Sequence, residues 1–87
     1  MPALLVTYDL KSSEQDYSTF QSMLHSYPWI NISESAVVLA TDTSANEFFE
    51  GIWPYIDQHD QVLVFAVTAD WSGTGSEEVK KWLKERL

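Results

Sequence analysis

The stretch LLVTYDL, Leu4 to Leu10, decides how the rest of this chain is interpreted. Most of its side chains are apolar or aromatic, and Val, Thr and Tyr suit a pleated strand, so we predict a buried strand over residues 3–10. The carboxylate of Asp9 stands next to the end of this strand, where a rigid element meets an exposed connection. An acid at that position of a core strand requires a structural or a functional reason.

Periodic apolar residues and turn signals divide the remaining sequence into six further elements. In chain order we predict a helix over 16–26, strands over 29–33 and 35–41, a helix from 45, a strand over 61–68 and a helix over 76–87. The two middle strands are close enough to form a tight hairpin or one bent strand with a bulge. This order predicts one α+β domain over residues 1–87, a ferredoxin-like βαββαβ sandwich with an additional C-terminal helix.

Local signals give the helix ends. Ser44 to Glu47 forms a capping box, and Thr74 to Glu77 is a second candidate. Trp53 lies on the apolar face of the middle helix, which favours a core position, and Pro54 predicts a kink or a break.

The strand QVLVFAVT, residues 61–68, is apolar on both alternating faces, whereas a sheet covered on one face alternates apolar and polar residues. Either the C-terminal helix covers the second face or a second subunit does, and both alternatives stay open. For so small a core, a homodimer stacked through that face is a reasonable expectation.

Composition limits the classes of function. The chain has 87 residues, a net charge of -8 and no cysteine, and it shows no signal peptide and no apolar run of membrane-spanning length. We therefore expect a cytoplasmic protein with no membrane partner. Residues 1–76 contain ten acids against the single base Lys11, and such a body repels nucleic-acid backbones. A cation, a basic protein or a merely soluble surface would each suit this charge.

Asp9 is the residue best placed for chemistry. In a symmetric dimer two such carboxylates could share Mg²⁺, which binds oxygen ligands and keeps several waters, and which can activate water for attack on phosphate. The structural alternative is an Asp that binds backbone N–H groups in the turn after the strand, and residue type alone favours it. His25 and His59 have no recognisable partner, and the segment SGTG at 72–75 favours a hinge or cap over an anion site.

Several segments together resemble a known superfamily. They are LLVTYDL, DY, YPW, ESAVVLAT, ID and WLKERL, and the likeness runs nearly the full chain. The superfamily comprises the CRISPR-associated adaptation nucleases of the Cas-two type with the virulence-associated ribonuclease toxins, and the chain is most similar to short stand-alone members sometimes labelled SinR-like. A Tyr-Asp pair ends the first strand in those nucleases, as Tyr8 and Asp9 do here.

The resemblance implies a homodimer whose two sheets face each other, with Asp9 as a catalytic, metal-binding acid at the dimer axis. It implies Mg²⁺ or Mn²⁺ as cofactor and a metal-dependent endonuclease or endoribonuclease activity. The family carries basic residues soon after its first strand, where this chain has Lys11 alone. Two alternatives therefore stand beside the nuclease: a catalytically inactive acidic protein-binding module, and an inhibitor that mimics nucleic acid on a basic partner.

Overall fold

The computed structural model describes residues 2–12 and 14–87 and shows an α+β fold. The elements are β1 (Ala3–Asp9), α1 (Ser18–Leu24), β2 (Trp29–Ser33), β3 (Ala36–Ala40), α2 (Ala45–Ile52), a 3₁₀ turn (Trp53–Tyr55), β4 (Gln61–Val67) and α3 (Glu77–Arg86). The predicted order of strands and helices is confirmed. Within the described residues, the helices are all too short or too polar to span a membrane.

The four strands form one antiparallel sheet in the order β2-β3-β1-β4. Because β3 is antiparallel to both of its neighbours, β1 and β2 run in the same direction on either side of it. The β2–β3 connection is a tight turn, so the predicted hairpin is confirmed and the alternative of one bent strand is wrong; the register of the hairpin shifts between Asn31 and Ser33. β2 and β4 are the two edges of the sheet.

One face of the sheet carries α1 and α2 and forms the core. The buried core cluster is Leu4, Val6, Phe20, Leu24, Val37, Leu39, Phe48, Ile52 and Val62. The strand residues of this cluster all lie on the same face of the sheet. Val6, for example, is paired with Val37 on one side and with Val64 on the other. At about 1.5–3 kcal/mol for each large apolar side chain removed from water, this cluster supplies the main stabilising term.

The middle helix begins where the sequence predicts, and the predicted break at Pro54 is confirmed. The Ser44 hydroxyl accepts a hydrogen bond from the Glu47 backbone N–H at 3.1 Å. The α-helix ends at Ile52, and Pro54 lies in the 3₁₀ turn that follows. The prediction of a core position for Trp53 is wrong: its side chain is 57% exposed, because the change of helix type turns it away from the buried face.

The other two helices differ from the prediction at their ends. α1 begins at Ser18 rather than at residue 16, since the Asp16 carboxylate accepts from the Ser18 backbone N–H at 2.9 Å in a local turn. α3 is capped by Ser76, which accepts from the Val79 N–H at 3.2 Å, and not by the predicted Thr74. The predicted connection over 11–15 includes Ser13, which lies outside the described residues.

Candidate functional site

The sheet face opposite α1 and α2 is the candidate functional surface, here called the open face. It is built by the alternate residues of each strand. Strand pairing places Leu5 of β1 against Phe65 of β4, Thr7 against Leu63, and Asp9 against Gln61. Asp9 therefore lies at one end of the same surface that carries the two largest apolar side chains of β4.

Asp9 itself is accessible. Its side chain is 60% exposed, and one carboxylate oxygen lies 2.9 Å from the Lys11 ammonium. The described part of the chain contains no group of three His, Cys, Asp or Glu side chains close enough to hold a metal ion. A metal at Asp9 would therefore take most of its ligands from amide or carbonyl oxygens, from water or from a second subunit. The contact described for Asp9 thus pairs its carboxylate with a competing cation, the Lys11 ammonium.

In the turn after β1, the Lys11 backbone N–H is bound by a different acid, Asp60, which the sequence did not single out. Asp60 accepts from the Lys11 N–H and the Asp57 N–H, at 2.7 Å each, and from the Tyr17 phenol at 2.8 Å. The Tyr17 oxygen in turn accepts from the Ser12 N–H at 3.3 Å. This Asp60 cluster ties the β1–α1 connection to the start of α1 and to the loop before β4.

The Asp60 cluster shifts the protonation of both side chains. Burial raises the pKa of the Asp60 carboxyl, but the Lys11 and Asp57 N–H groups and the Tyr17 phenol outweigh it and hold that pKa below its ordinary value. Burial raises the pKa of the Tyr17 phenol, and its hydrogen bond to the Asp60 carboxylate raises it further. Asp60 is therefore charged near neutral pH and binds the backbone of the turn after β1. Asp9 does not have that structural role.

The open face is only partly covered. On β3 it is buried: Val38 is 3% exposed. On β4, Leu63 and Phe65 are 48% and 49% exposed, among the most exposed large apolar side chains in the described chain. The C-terminal helix contacts β2, at the other edge of the sheet. The sequence left open whether the C-terminal helix or a second subunit covers this face. The helix α3 covers part of it and leaves the β4 side exposed.

A groove of about 1110 Å³ lies between α3 and the sheet. Leu5 and Val38 line it from the sheet, and Val79 and Leu83 line it from α3. No residue of α3 is fully buried, and Val79, Trp82 and Leu83 are half-buried, so this helix covers the sheet only loosely. The segment Ser72–Gly75, which precedes α3, lines the same groove and acts as its connection to the sheet.

The remaining candidates of the sequence have ordinary structural surroundings. The His25 ring stacks on Trp29 with centroids 4.1 Å apart, and both side chains are exposed. The Arg86 guanidinium lies 4.6 Å from the centre of the Trp82 ring, where it contributes a cation–π contact on α3. His59 lies in the loop before β4 and is exposed. None of these residues adjoins Asp9 along the strand pairing.

The open face, with Asp9 at its end, is the part of the described surface that has exposed apolar side chains and an accessible acid without a structural role. Comparison with protein-family models, with curated proteins and with solved structures gives no match to this chain. The exposure, charge and pairing of the residues described above are therefore the evidence that bears on function.

Proposed function

We propose that this protein is a homodimeric, catalytically inactive protein-binding module with a ferredoxin-like arrangement of its sheet and first two helices. The arrangement is supported by β3 lying between β1 and β2, and by β1 lying between β3 and β4, as in a split βαβ fold. The additional helix α3 lies outside that arrangement. A cytoplasmic location forms part of the same proposal, since a chain with no cysteine suits a reducing compartment.

The observation that carries the binding function is the exposure of Leu63 and Phe65. Two neighbouring large apolar side chains on one face of a strand, each about half exposed at 48% and 49%, cost free energy in water unless a partner covers them. The strand that carries them has no charged residue, in a chain with a net charge of -8. Association through this surface removes apolar area without burying an unpaired charge.

The charge of the chain supports a protein partner over a nucleic acid. Phosphate contacts depend on Lys and Arg, and the first 76 residues provide Lys11 alone, whose ammonium is paired with Asp9. A basic protein surface is electrostatically complementary to such a body. If that surface is the nucleic-acid groove of another protein, the chain acts as a mimic, and its affinity falls steeply with salt.

Sedimentation of the wild type and of Phe65→Ser tests the proposal. We expect a dimer for the wild type at raised concentration and a weaker dimer for Phe65→Ser, because the substitution removes apolar area from the contact. The matched control is Trp53→Ser, which removes a side chain of comparable exposure outside the open face and is expected to leave the mass unchanged. A wild type that stays monomeric at every concentration would contradict the homodimer.

A divalent-metal-dependent nuclease is the second candidate, and the position of Asp9 favours it. The carboxylate is exposed at the end of β1 on the open face, so a dimer that stacks two open faces about an axis near this end of β1 would bring two Asp9 side chains together. In that reading Asp9 holds Mg²⁺ or Mn²⁺, and water bound to the ion attacks the phosphate.

A cleavage assay separates the two candidates. RNA, single-stranded DNA and duplex DNA are each incubated with Mg²⁺ or Mn²⁺ and with the wild type, Asp9→Asn or Glu14→Gln. Glu14→Gln is the matched control, since it removes one charge from an exposed acid in the same connection. The binding module predicts no cleavage by any of the three proteins. Cleavage by the wild type and Glu14→Gln, but not by Asp9→Asn, would establish the nuclease instead.

A further inference from the structure

The outer edge of β4 is an unusual edge strand. Within the described residues β4 pairs only with β1, so its other side presents unpaired backbone N–H and C=O groups. Natural edges are protected by charged residues, proline or bulges, and the seven residues Gln61–Val67 contain none of these. The opposite edge, β2, does carry an irregularity, between Asn31 and Ser33.

We propose that β4 pairs with β4 of a second copy of this chain, antiparallel and about a two-fold axis at Val64, to form a continuous eight-stranded sheet. This inference rests on the homodimer of the proposed function and specifies how it is built. A two-fold axis perpendicular to the sheet keeps both open faces on one side. It places Leu63 opposite the partner's Phe65 and Phe65 opposite the partner's Leu63, so the four exposed side chains form one apolar cluster.

The positions of acidic and apolar residues favour an axis at Val64 over an axis at Phe65 or at Leu63. An axis at Phe65 would align Asp60 with the partner's Asp70, and like charges that face each other across strands are destabilising. An axis at Leu63 would set Phe65 opposite the partner's Gln61 and lose half of the apolar pairing. An axis at Val64 aligns Asp60 with the partner's Thr68 and Asp70 with the partner's Gln58. In a chain of net charge -8 the register without facing acids is the favoured one.

The position of α3 favours an edge contact over stacked sheets. The helix contacts β2 and borders the groove on the open face, so two open faces brought together would meet α3 before the strands touched. The β4 edge is at the far side of the sheet from β2. Pairing through that edge leaves α3 and its groove in place and gives Leu63 and Phe65 lateral apolar neighbours on the β4 side that α3 leaves bare.

Cysteine cross-linking reads the register directly, because the natural chain has no cysteine. Leu63→Cys and Phe65→Cys are oxidised separately and as a mixture, then separated without reductant. Residues directly opposite in an antiparallel pair have Cα atoms about 4.5–5.5 Å apart, within disulfide reach. We expect a covalent dimer only in the mixture, since identical positions are offset by two residues, about 7 Å along the strand.

The other outcomes are equally definite. Cross-linking of Leu63→Cys alone or of Phe65→Cys alone would place the axis at that residue and overturn the proposal. A control mixture of Phe65→Cys with Ile32→Cys, which is of comparable exposure on β2, is expected to stay uncoupled. A dimer by sedimentation with no cross-link would overturn the edge pairing and leave the homodimer standing, whereas a monomer would overturn both.

Charge replacement checks the same register without a disulfide. In L63K/F65E the axis at Val64 sets each lysine opposite the partner's glutamate, so the facing pairs attract, and a dimer weaker than that of the wild type is expected because the apolar contact is lost. In L63K/F65K the same facing pairs repel, and the dimer is expected to be at least tenfold weaker than that of L63K/F65E. Equal circular dichroism and equal melting temperatures of the two diluted variants establish that both fold. Equal dimerisation of the two variants would refute the pairing.

Discussion

The Tyr17 phenol donates to the Asp60 carboxylate at 2.8 Å, although the two residues are 43 positions apart in the chain. This contact joins the start of α1 to the residue that precedes β4. Together with the Lys11 and Asp57 N–H groups it gives Asp60 donors from two segments, the β1–α1 connection and the loop before β4. The chain end of β1 that carries Asp9 is therefore held by an acid from the opposite half of the sequence.

Replacing Asp60 with Asn is expected to destabilise the fold. The amide keeps the shape but loses the charge and one acceptor, and hydrogen bonds to charged groups contribute about 1.5–3 kcal/mol each. We expect a loss of about 1–3 kcal/mol in the free energy of unfolding, measured by urea denaturation. Asp70→Asn is the control, since that acid is exposed beyond the other end of β4. Equal effects of the two substitutions would show that charge, and not the cluster, is responsible.

The same cluster predicts how stability depends on pH. The folded pKa of Asp60 lies below its ordinary value of 3.8, so its contribution is complete above that value and is lost as pH falls through the folded pKa. The folded pKa of Tyr17 lies above 10.0, so its contribution is complete below that value and is lost as pH rises through the folded pKa. Thermal melts across both ranges should show a weaker acid dependence in Asp60→Asn and a weaker alkaline dependence in Tyr17→Phe.

The sequence predicts the elements well and the contacts between them poorly. Local chemistry is enough for the Ser44 cap and for the break at Pro54, because both depend on neighbours within one helical turn. It is not enough for Asp60, whose donors come from positions far apart in the chain. Apolar alternation on β4 correctly indicates two apolar faces, but only the three-dimensional placement of α3 shows which part remains exposed.

The two serine caps provide a matched pair of substitutions. Ser44 caps α2, which buries Phe48 and Ile52, whereas Ser76 caps α3, which buries no residue. Ser44→Ala is expected to lower the global free energy of unfolding by about 1 kcal/mol. Ser76→Ala should mainly increase amide hydrogen exchange in α3 while the core amides keep their protection. Uniformly faster exchange in Ser76→Ala would mean that α3 unfolds together with the sheet.

Gly51 is a position where a larger residue should stabilise the protein. It lies in the last turn of α2, and a Cβ atom there would be 3.6 Å from the Met23 methyl carbon, an ordinary van der Waals contact. Alanine restricts the unfolded chain and favours the helix, which is expected to add about 0.5–1 kcal/mol to the free energy of unfolding. Gly73→Ala, in the loop before α3, tests the alternative that any added methyl group stabilises. A loss of stability in Gly51→Ala would show that the packing against Met23 is tighter than this distance indicates.

Asp9→Asn, the substitution on which the cleavage assay depends, is expected to leave the fold intact. The Asp9–Lys11 pair is more than half exposed on both sides, and such surface pairs contribute about 0–1 kcal/mol. The turn after β1 is held by Asp60 instead, through the Lys11 N–H. Urea denaturation should therefore give the variant and the wild type free energies of unfolding within about 1 kcal/mol. A larger loss would mean that Asp9 has a structural role, and an inactive Asp9→Asn protein could then not be attributed to a missing metal ligand.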